Sequence, residues 1–422
     1  MDRAAWELLA PWEPAVRERL DALLEGDGGQ AHLRRVEAAH GREVARFVSL
    51  QRELRQRARG RFPDGRLAAL TSKGLEQATA PEVADLRAER FAEERASRGG
   101  VAWDACCGLG SDAVSLTRAG VPVLATERDV EVARCAALNL ADAPAAVALG
   151  DATAPPFRRE GRIMALLDPD RRSEGRRLAH PDDWSPSLPI ALELCREAGL
   201  GCIKLPPGLD PTATVLGSAA DVALEWVSLD GELRELAAWV GPWSFSGTRR
   251  RAVALSRSGT REECLGGGYT ADPTPSPLVA GSLLVEFDPA LRLAGLAQEH
   301  GARYELRPVE GDAGYWTGAA EERIPMARRW RVLEVLPVDR KRVRAALRAR
   351  GIGPLTVKTR GVRESAQELA RRLRGPGDLP GLLAVTRTPR GTIAALLEPL
   401  DETPPEGPLV GDEGLEPPTP SL

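Results

Sequence analysis

The chain has 422 residues, 43% of them hydrophobic, which suits roughly two to four domains with sizeable cores. Its 57 basic and 61 acidic residues leave a net charge of −4, so the whole chain is no polycation; no apolar run approaches the ~18 residues that cross a bilayer. The six cysteines include no CxxC pair and lie far in sequence from the four histidines, which argues against a zinc site and a disulfide framework; with no secretory-type N-terminus, a cytoplasmic protein with reduced cysteines, no membrane and no metal is expected.

Residues 1–97 read as a helical region. Apolar residues recur at spacings of three and four through Leu20, Leu23 and Leu24, then Val36, then Val44, Phe47 and Val48. Residues 76–95 predict a further helix, with Pro81 in its first turn. From about residue 98 short apolar runs alternate with helical stretches. Val101–Trp103, Val121–Ala125, Ala146–Leu149, Ile163–Leu167 and Gly201–Leu205 read as strands, with helices beginning near Asp112, Val130 and Leu188. Ala223–Val227 and Arg251–Leu255 can complete the sheet. This alternation over 98–258 predicts an α/β domain with a largely parallel sheet covered on both faces. Residues 259–277, with Gly266-Gly267-Gly268 and several prolines, read as a linker. A smaller α/β domain is expected at 278–400, with strands at 282–287, 330–336, 355–359, 382–386 and 392–397 and helices at 289–300, 339–350 and 363–374. The Pro-, Gly- and Glu-rich residues 401–422 read as a disordered tail.

The stretch Asp104-Ala105-Cys106-Cys107-Gly108-Leu109-Gly110-Ser111-Asp112 follows a strand and opens a helix. Glycines there let the backbone turn sharply and approach a ligand closely. Glu127, at the end of the next strand, can accept both hydroxyls of a ribose. A dinucleotide needs its pyrophosphate against the helix N-terminus, and carboxylates at Asp104 and Asp112 would repel it. They suit a ligand with an ammonium and a sulfonium, which points to S-adenosylmethionine. Asp151 in Gly150-Asp151-Ala152, after the third strand, can accept from an adenine amino group. The candidate cofactor residues are therefore Asp104, Cys107, Gly108, Gly110, Asp112, Glu127, Asp151 and Ala152.

With these residues in view, the chain resembles the class I methyltransferases. In particular it is similar to the bacterial branch related to trimethylguanosine synthases that carries a C-terminal THUMP-like domain. Matching elements are Gln77-Ala78-Thr79, Arg87-Ala88-Glu89-Arg90-Phe91, the Asp104–Asp112 loop, Leu167-Asp168-Pro169-Asp170-Arg171-Arg172, Trp184-Ser185-Pro186-Ser187-Leu188, Lys204-Leu205-Pro206-Pro207-Gly208 and Glu286-Phe287-Asp288-Pro289. The resemblance spans roughly residues 70–400. It implies a Rossmann-like doubly wound sheet at 98–258, a ferredoxin-like or THUMP-like RNA-binding domain at 278–400, and methylation of RNA.

Strand four ends in Asp168-Pro169-Asp170-Arg171-Arg172, and ligands in open α/β sheets sit beyond the carboxyl ends of strands. Amino-methyltransferases of this fold carry D/N/S-P-P-Y/F/W there. A carboxylate and a backbone carbonyl hold the exocyclic N–H groups, so orientation supplies much of the rate. Asp168, Pro169 and Asp170 are thus the candidate catalytic residues. Asp170 and Arg171 replace the second proline and the aromatic residue, so no local ring stacks on a base; Trp184 is the candidate for that role. Arg171, Arg172 and Lys204 are candidates to grip substrate phosphate.

Residues 328–374 contain 15 Arg or Lys and four Asp or Glu, a local balance of +11. A basic module on an acidic remainder is an electrostatic footprint for phosphate, with Lys358 and Arg360 at a strand end as the expected contacts. The leading expectation is methylation of a base, a guanine nitrogen favoured, in a structured RNA. A small-molecule methyltransferase and a non-catalytic cofactor- and RNA-binding protein are the alternatives. The N-terminal region either covers the cofactor pocket through Arg87 and Arg90 or only supports the core.

Overall fold

The computed structural model describes residues 15–25, 29–154, 162–173, 176–243, 248–267, 273–311, 314–319 and 322–400, with only backbone at 15–19, 172–173 and 176–177. The expected disordered tail lies outside them. The chain divides into two compact units. The first takes in Met1–Leu229, Arg234–Arg249 and Leu255–Gly259. The second takes in Asp230–Leu233, Arg250–Ala254 and the chain from Thr260 onward.

The first unit is built on β1 (Val101–Asp104), β2 (Val123–Glu127), β3 (Ala145–Leu149) and β4 (Ile163–Leu167). A two-residue pair, β5 (Arg172–Ser173) and β6 (Arg176–Arg177), precedes β7 (Gly199–Leu205), β8 (Val222–Leu229) and β9 (Glu232–Val240). Sheet order runs β8-β9-β7-β4-β1-β2-β3. β1 pairs in parallel with β2 and β4, β2 with β3, and β4 with β7. β9 returns antiparallel to β7, Gly201 facing Val240. Every residue of Ile163–Leu167 is buried, as a central parallel strand covered on both faces requires. Helices Ser111–Arg118, Val130–Asn139 and Leu188–Ala198 supply the covering. The result is the Rossmann-like, doubly wound α/β sheet expected. β9 was not anticipated: its buried run Glu235–Val240 shows no alternation.

The N-terminal residues are helical, over Ala15–Leu24, Gln30–His40, Arg42–Ala58, Ser72–Gln77 and Pro81–Arg98. They are no separate body. Leu20, Leu54, Phe62 and Leu70 share one apolar core with Leu109, Leu116 and Leu140 of the sheet's helices and loops. Phe91 closes the other end, its ring 5.1 Å from that of Trp243 and 6.0 Å from that of Trp239. Such pairs contribute about 0.5–1.5 kcal/mol each beyond their buried area.

In the second unit, after β10 (Arg250–Leu255) and β11 (Arg261–Gly266), come β12 (Leu283–Phe287), β13 (Arg307–Pro308), β14 (Tyr315–Gly318), β15 (Ala327–Pro337), β16 (Ile352–Arg360), β17 (Leu379–Thr388) and β18 (Gly391–Pro399). Strands β12 to β18 form one sheet in the order β13-β14-β12-β15-β18-β17-β16. Helices Arg340–Ala349 and Ala366–Leu373 bury Val343, Leu347, Leu369 and Leu373 against β16, β17 and β18. Three expectations are corrected here. Part of the predicted linker is strand β11, whose Gly266 is pressed so close to Leu296 and Glu299 that an added Cβ would lie 2.5 and 2.4 Å from them; it is a packing glycine rather than a hinge. From Ala327 on, the order is strand–helix–strand–helix–strand–strand, not the strand–helix–strand–strand–helix–strand of a ferredoxin-like unit. The expected helix at 289–300 is two short ones, Pro289–Leu293 and Ala297–Arg303.

Candidate active site

Asp104, Glu127, Asp168 and Lys204 stand at the carboxyl ends of the neighbouring strands β1, β2, β4 and β7. The loop after β1 turns through Gly108 (φ 55°) and Gly110 (φ 80°), both left-handed, where a Cβ is strained. Nothing lies within 4 Å of a Cβ built on Gly108, so that side of the turn is open to a ligand. The Cys107 amide donates to the Thr126 carbonyl at 3.0 Å, tying the loop to β2. Glu127 accepts from the Gly108 amide at 3.0 Å and from the Asp129 amide at 2.9 Å. Asn139 locks the loop from behind: its Nδ2 donates to the Leu109 and Ala69 carbonyls while its Oδ1 accepts from the Ala68 and Ala69 amides.

Asp104 is buried, and among the described residues its Oδ2 has no hydrogen-bond partner. Burial, with Asp112 and Asp168 nearby, holds its carboxyl well above the usual carboxylate range. An unsatisfied buried carboxyl beside an open glycine turn suits a ligand that brings a cation. Asp151 is exposed and accepts from the Thr153 amide at 2.7 Å and hydroxyl at 2.6 Å, which holds its carboxyl below the ordinary value, while Ala152 is buried.

The centre of the site is a cluster that spans the whole first unit. Lys204 Nζ donates to Asp168 Oδ2 at 2.5 Å, to Thr79 Oγ1 at 2.7 Å and to Asp112 Oδ2 at 3.0 Å. Thr79 Oγ1 donates in turn to Asp112 Oδ2 at 2.8 Å, and Arg87 bridges Asp112 to Glu235. Burial opposes the charge on Asp112, yet Arg87 and Lys204 hold its carboxyl down at about 2. Burial likewise opposes the charge on Lys204, but Asp112 and Asp168 keep its ammonium well above the ordinary value. Asp112 accepts from Arg87 at one oxygen and from Lys204 and Thr79 at the other, so it organises the site. One assignment is thereby corrected. All three Lys204 protons are likewise engaged, leaving none for a substrate phosphate.

Asp168 is a third exposed, at 34%, and looks into a cleft of about 500 Å³ that Arg171 and Lys204 also line. Among the described residues its Oδ1 takes no hydrogen bond. Pro169 is buried, and Asp170 forms a backbone bridge with Ser185 and lies 3.4 Å from Arg128. Trp184 is 5% exposed, with Nε1 3.4 Å from the Leu178 carbonyl, so it packs and cannot stack on a base. The side chain of Arg172 lies outside the described residues. In the second unit Lys358 and Arg360 do not face solvent as expected. They hold Glu286, at 3.2 and 2.7 Å, and Lys358 lies 5.0 Å from the Trp330 ring centroid. Thr79, Asn139 and Glu235 had no role assigned from sequence. Only Thr79 carried a signal, within Gln77-Ala78-Thr79.

Comparison with known proteins bears on this arrangement. The family described as THUMP domain-like matches residues 327–399. An uncharacterized S-adenosylmethionine-dependent methyltransferase of Mycobacterium tuberculosis is 33% identical over 328 residues, covering 77% of this chain and 86% of that one. A crystal structure from Porphyromonas gingivalis described as a methyltransferase superposes with a TM-score of 0.68 at 19% identity, over 95% of this chain and 100% of that one, which shows a shared fold. The relationship in sequence defines a methyl-transferring enzyme. The chain belongs to the S-adenosylmethionine-dependent methyltransferases, with S-adenosylmethionine as cofactor and a C-terminal THUMP-like domain. Among the described residues, no helix is long and apolar enough to cross a membrane.

Proposed function

We propose that this methyltransferase modifies a base, a guanine nitrogen favoured, in a structured RNA, and that it falls in the branch related to trimethylguanosine synthases. The observation that carries the reading is Asp168: one oxygen is anchored by Lys204, and the other has no donor among the described residues and lines a cleft. S-adenosylmethionine supplies an electrophilic methyl group on a sulfonium. Asp104, Gly108, Gly110 and Glu127 would hold it, together with Cys107, Asp151 and Ala152. Asp168 accepts an N–H of the target amine and so turns the nitrogen lone pair toward the cleft floor. The ammonium of Lys204 keeps that carboxylate in one rotamer, the pre-organisation from which most of the rate comes. Pro169 and Asp170 shape the strand end through the backbone bridge to Ser185.

RNA is favoured over a small molecule by the second unit. Arg340, Lys341, Arg342, Arg348, Arg371 and Arg374 are exposed on and beside its two helices. Exposed basic side chains of this kind bind the phosphate backbone without reading sequence. The test is to incubate the purified protein with radiolabelled S-adenosylmethionine and total RNA from a strain lacking the gene. Label in one RNA size class, lost with Asp168→Ala, supports the reading; confirmed cofactor binding with no label in any RNA rejects it for free RNA.

A further inference from the structure

Arg61, Arg234 and Arg257 line the cleft beside Asp168 together with Arg171 and Lys204, and all five belong to the first unit. Arg61 is fixed in place. It donates to the Leu75 carbonyl at 2.9 Å and the Glu76 carbonyl at 3.2 Å, and also to the Ala78 carbonyl. A guanidinium has five N–H donors, so these three bonds orient Arg61 and leave donors over. Burial first, then the like charges of Arg234 and Arg257, push Arg61 below its ordinary value, so the three guanidiniums sense one another. The lining carries five basic side chains and three acidic ones, Glu76, Asp168 and Glu235. Asp168 is held by Lys204, Glu235 by Arg87 and Glu76 lies 3.9 Å from Arg57, while Arg257 pairs with Glu82 at 3.7 Å. A surplus of like charges around one cleft favours an anion.

We propose that Arg61, Arg171, Arg234 and Arg257 form a phosphate-binding subsite that seats the phosphate next to the nucleotide whose base meets Asp168. The identification of that phosphate as RNA backbone rests on the proposed function; the anion chemistry of the cleft does not. A phosphate clamped here fixes the position of the sugar. The base then has one direction in which to reach Asp168, which is how an extruded nucleotide is held for chemistry. This adds three residues that no sequence motif marked: Arg61 follows a helix, Arg234 lies on β9 and Arg257 follows β10.

The test uses the full chain loaded with S-adenosylmethionine and titrates inorganic pyrophosphate by calorimetry. Arg234→Gln with Arg257→Gln removes two exposed guanidiniums while leaving Arg61 to hold residues 75–78. Unchanged cofactor affinity shows that the variant is folded. Pyrophosphate affinity falls about tenfold or more in the variant, the effect of losing a charge-assisted hydrogen bond. Equal affinity in both proteins overturns the subsite. The second arm measures methyl transfer to RNA. If wild-type protein methylates RNA and the variant keeps its KM, the subsite is wrong and the RNA reading stands. If pyrophosphate binding is lost in the variant but no RNA accepts methyl, the subsite stands and a phosphorylated small substrate replaces RNA.

Discussion

Lys204 Nζ stands 2.5 Å from Asp168 Oδ2, joining the ends of the adjacent strands β7 and β4. The same ammonium reaches Asp112 at the start of the cofactor-loop helix, so one buried cation ties the catalytic strand end to the cofactor loop. Removing it takes the countercharge from Asp168 and leaves Asp112 with Arg87 alone. Lys204→Met therefore lowers stability by about 3–5 kcal/mol, as loss of one partner of a buried pair does. It also lowers kcat, because the Asp168 carboxylate loses the ammonium that holds it in place. Denaturant unfolding and steady-state kinetics check the two effects.

Asp112 gives the stability of the fold an acid limb. Its carboxyl is held at about 2, against about 3.9 in an unfolded chain. A depressed folded value stabilises the protein above the unfolded one and is lost as pH falls through the folded one. About 2–3 kcal/mol should therefore disappear between roughly pH 4 and pH 2. Urea unfolding across that range shows this limb in the wild type, and Asp112→Asn, less stable throughout, loses that portion of the slope.

Asp104 shows the opposite sign. Its folded value is raised, so its contribution is full below the unfolded value and is lost as pH rises through the folded one. A cationic ligand brought beside the carboxyl favours its ionised form, so cofactor binding is coupled to proton release from Asp104, read as a dependence of calorimetric enthalpy on buffer ionisation. Asp104→Asn mimics the neutral acid. It raises the melting temperature of the cofactor-free protein, shrinks the shift that S-adenosylmethionine produces and abolishes the proton release.

Trp184 separates packing from stacking. Trp184→Leu keeps an apolar side chain but removes the ring, and a packing residue lost in this way costs about 1–3 kcal/mol of stability. The KM for RNA stays unchanged in the folded fraction. A raised KM at full stability would mean that the ring does meet a base.

The second unit divides its basic residues into two classes. Lys358 is 10% exposed beside Glu286, so Lys358→Met acts on stability first. Arg340, Arg348 and Arg371 are exposed, and each of these changed to Gln leaves the fold intact. Each true phosphate contact removed lowers the slope of log affinity against log salt by about 0.7–0.9.

The contrast between Asp104 and Thr79 explains what was legible in the sequence. Asp104, Gly108 and Gly110 are neighbours in the chain, and the strand–turn–helix around them is written in a dozen consecutive residues. The strand ends carrying Glu127 and Asp168 followed from the same alternation of apolar runs. Thr79, by contrast, meets Lys204 across 125 positions, and Lys204 meets Asp112 across 92. Pairings at that separation depend on how helix Pro81–Arg98 packs on the sheet, which no local pattern encodes. Lys358 and Arg360 misled for a related reason. A strand-end lysine and arginine look solvated until Glu286, more than 70 positions away, is folded against them. Strand β11 was hidden because Cys264 is the only buried apolar side chain among its residues.

The central claim is that Asp168 directs methyl transfer to a base in RNA. Nucleoside analysis of total RNA from a strain lacking the gene, complemented with the wild type or with Asp168→Asn, tests it most directly. The account predicts one methylated nucleoside, a methylguanosine favoured, that is absent without the gene, restored by the wild type and not restored by the variant, although the variant still binds S-adenosylmethionine. Identical RNA nucleoside profiles in all three strains, or full restoration by Asp168→Asn, would contradict it.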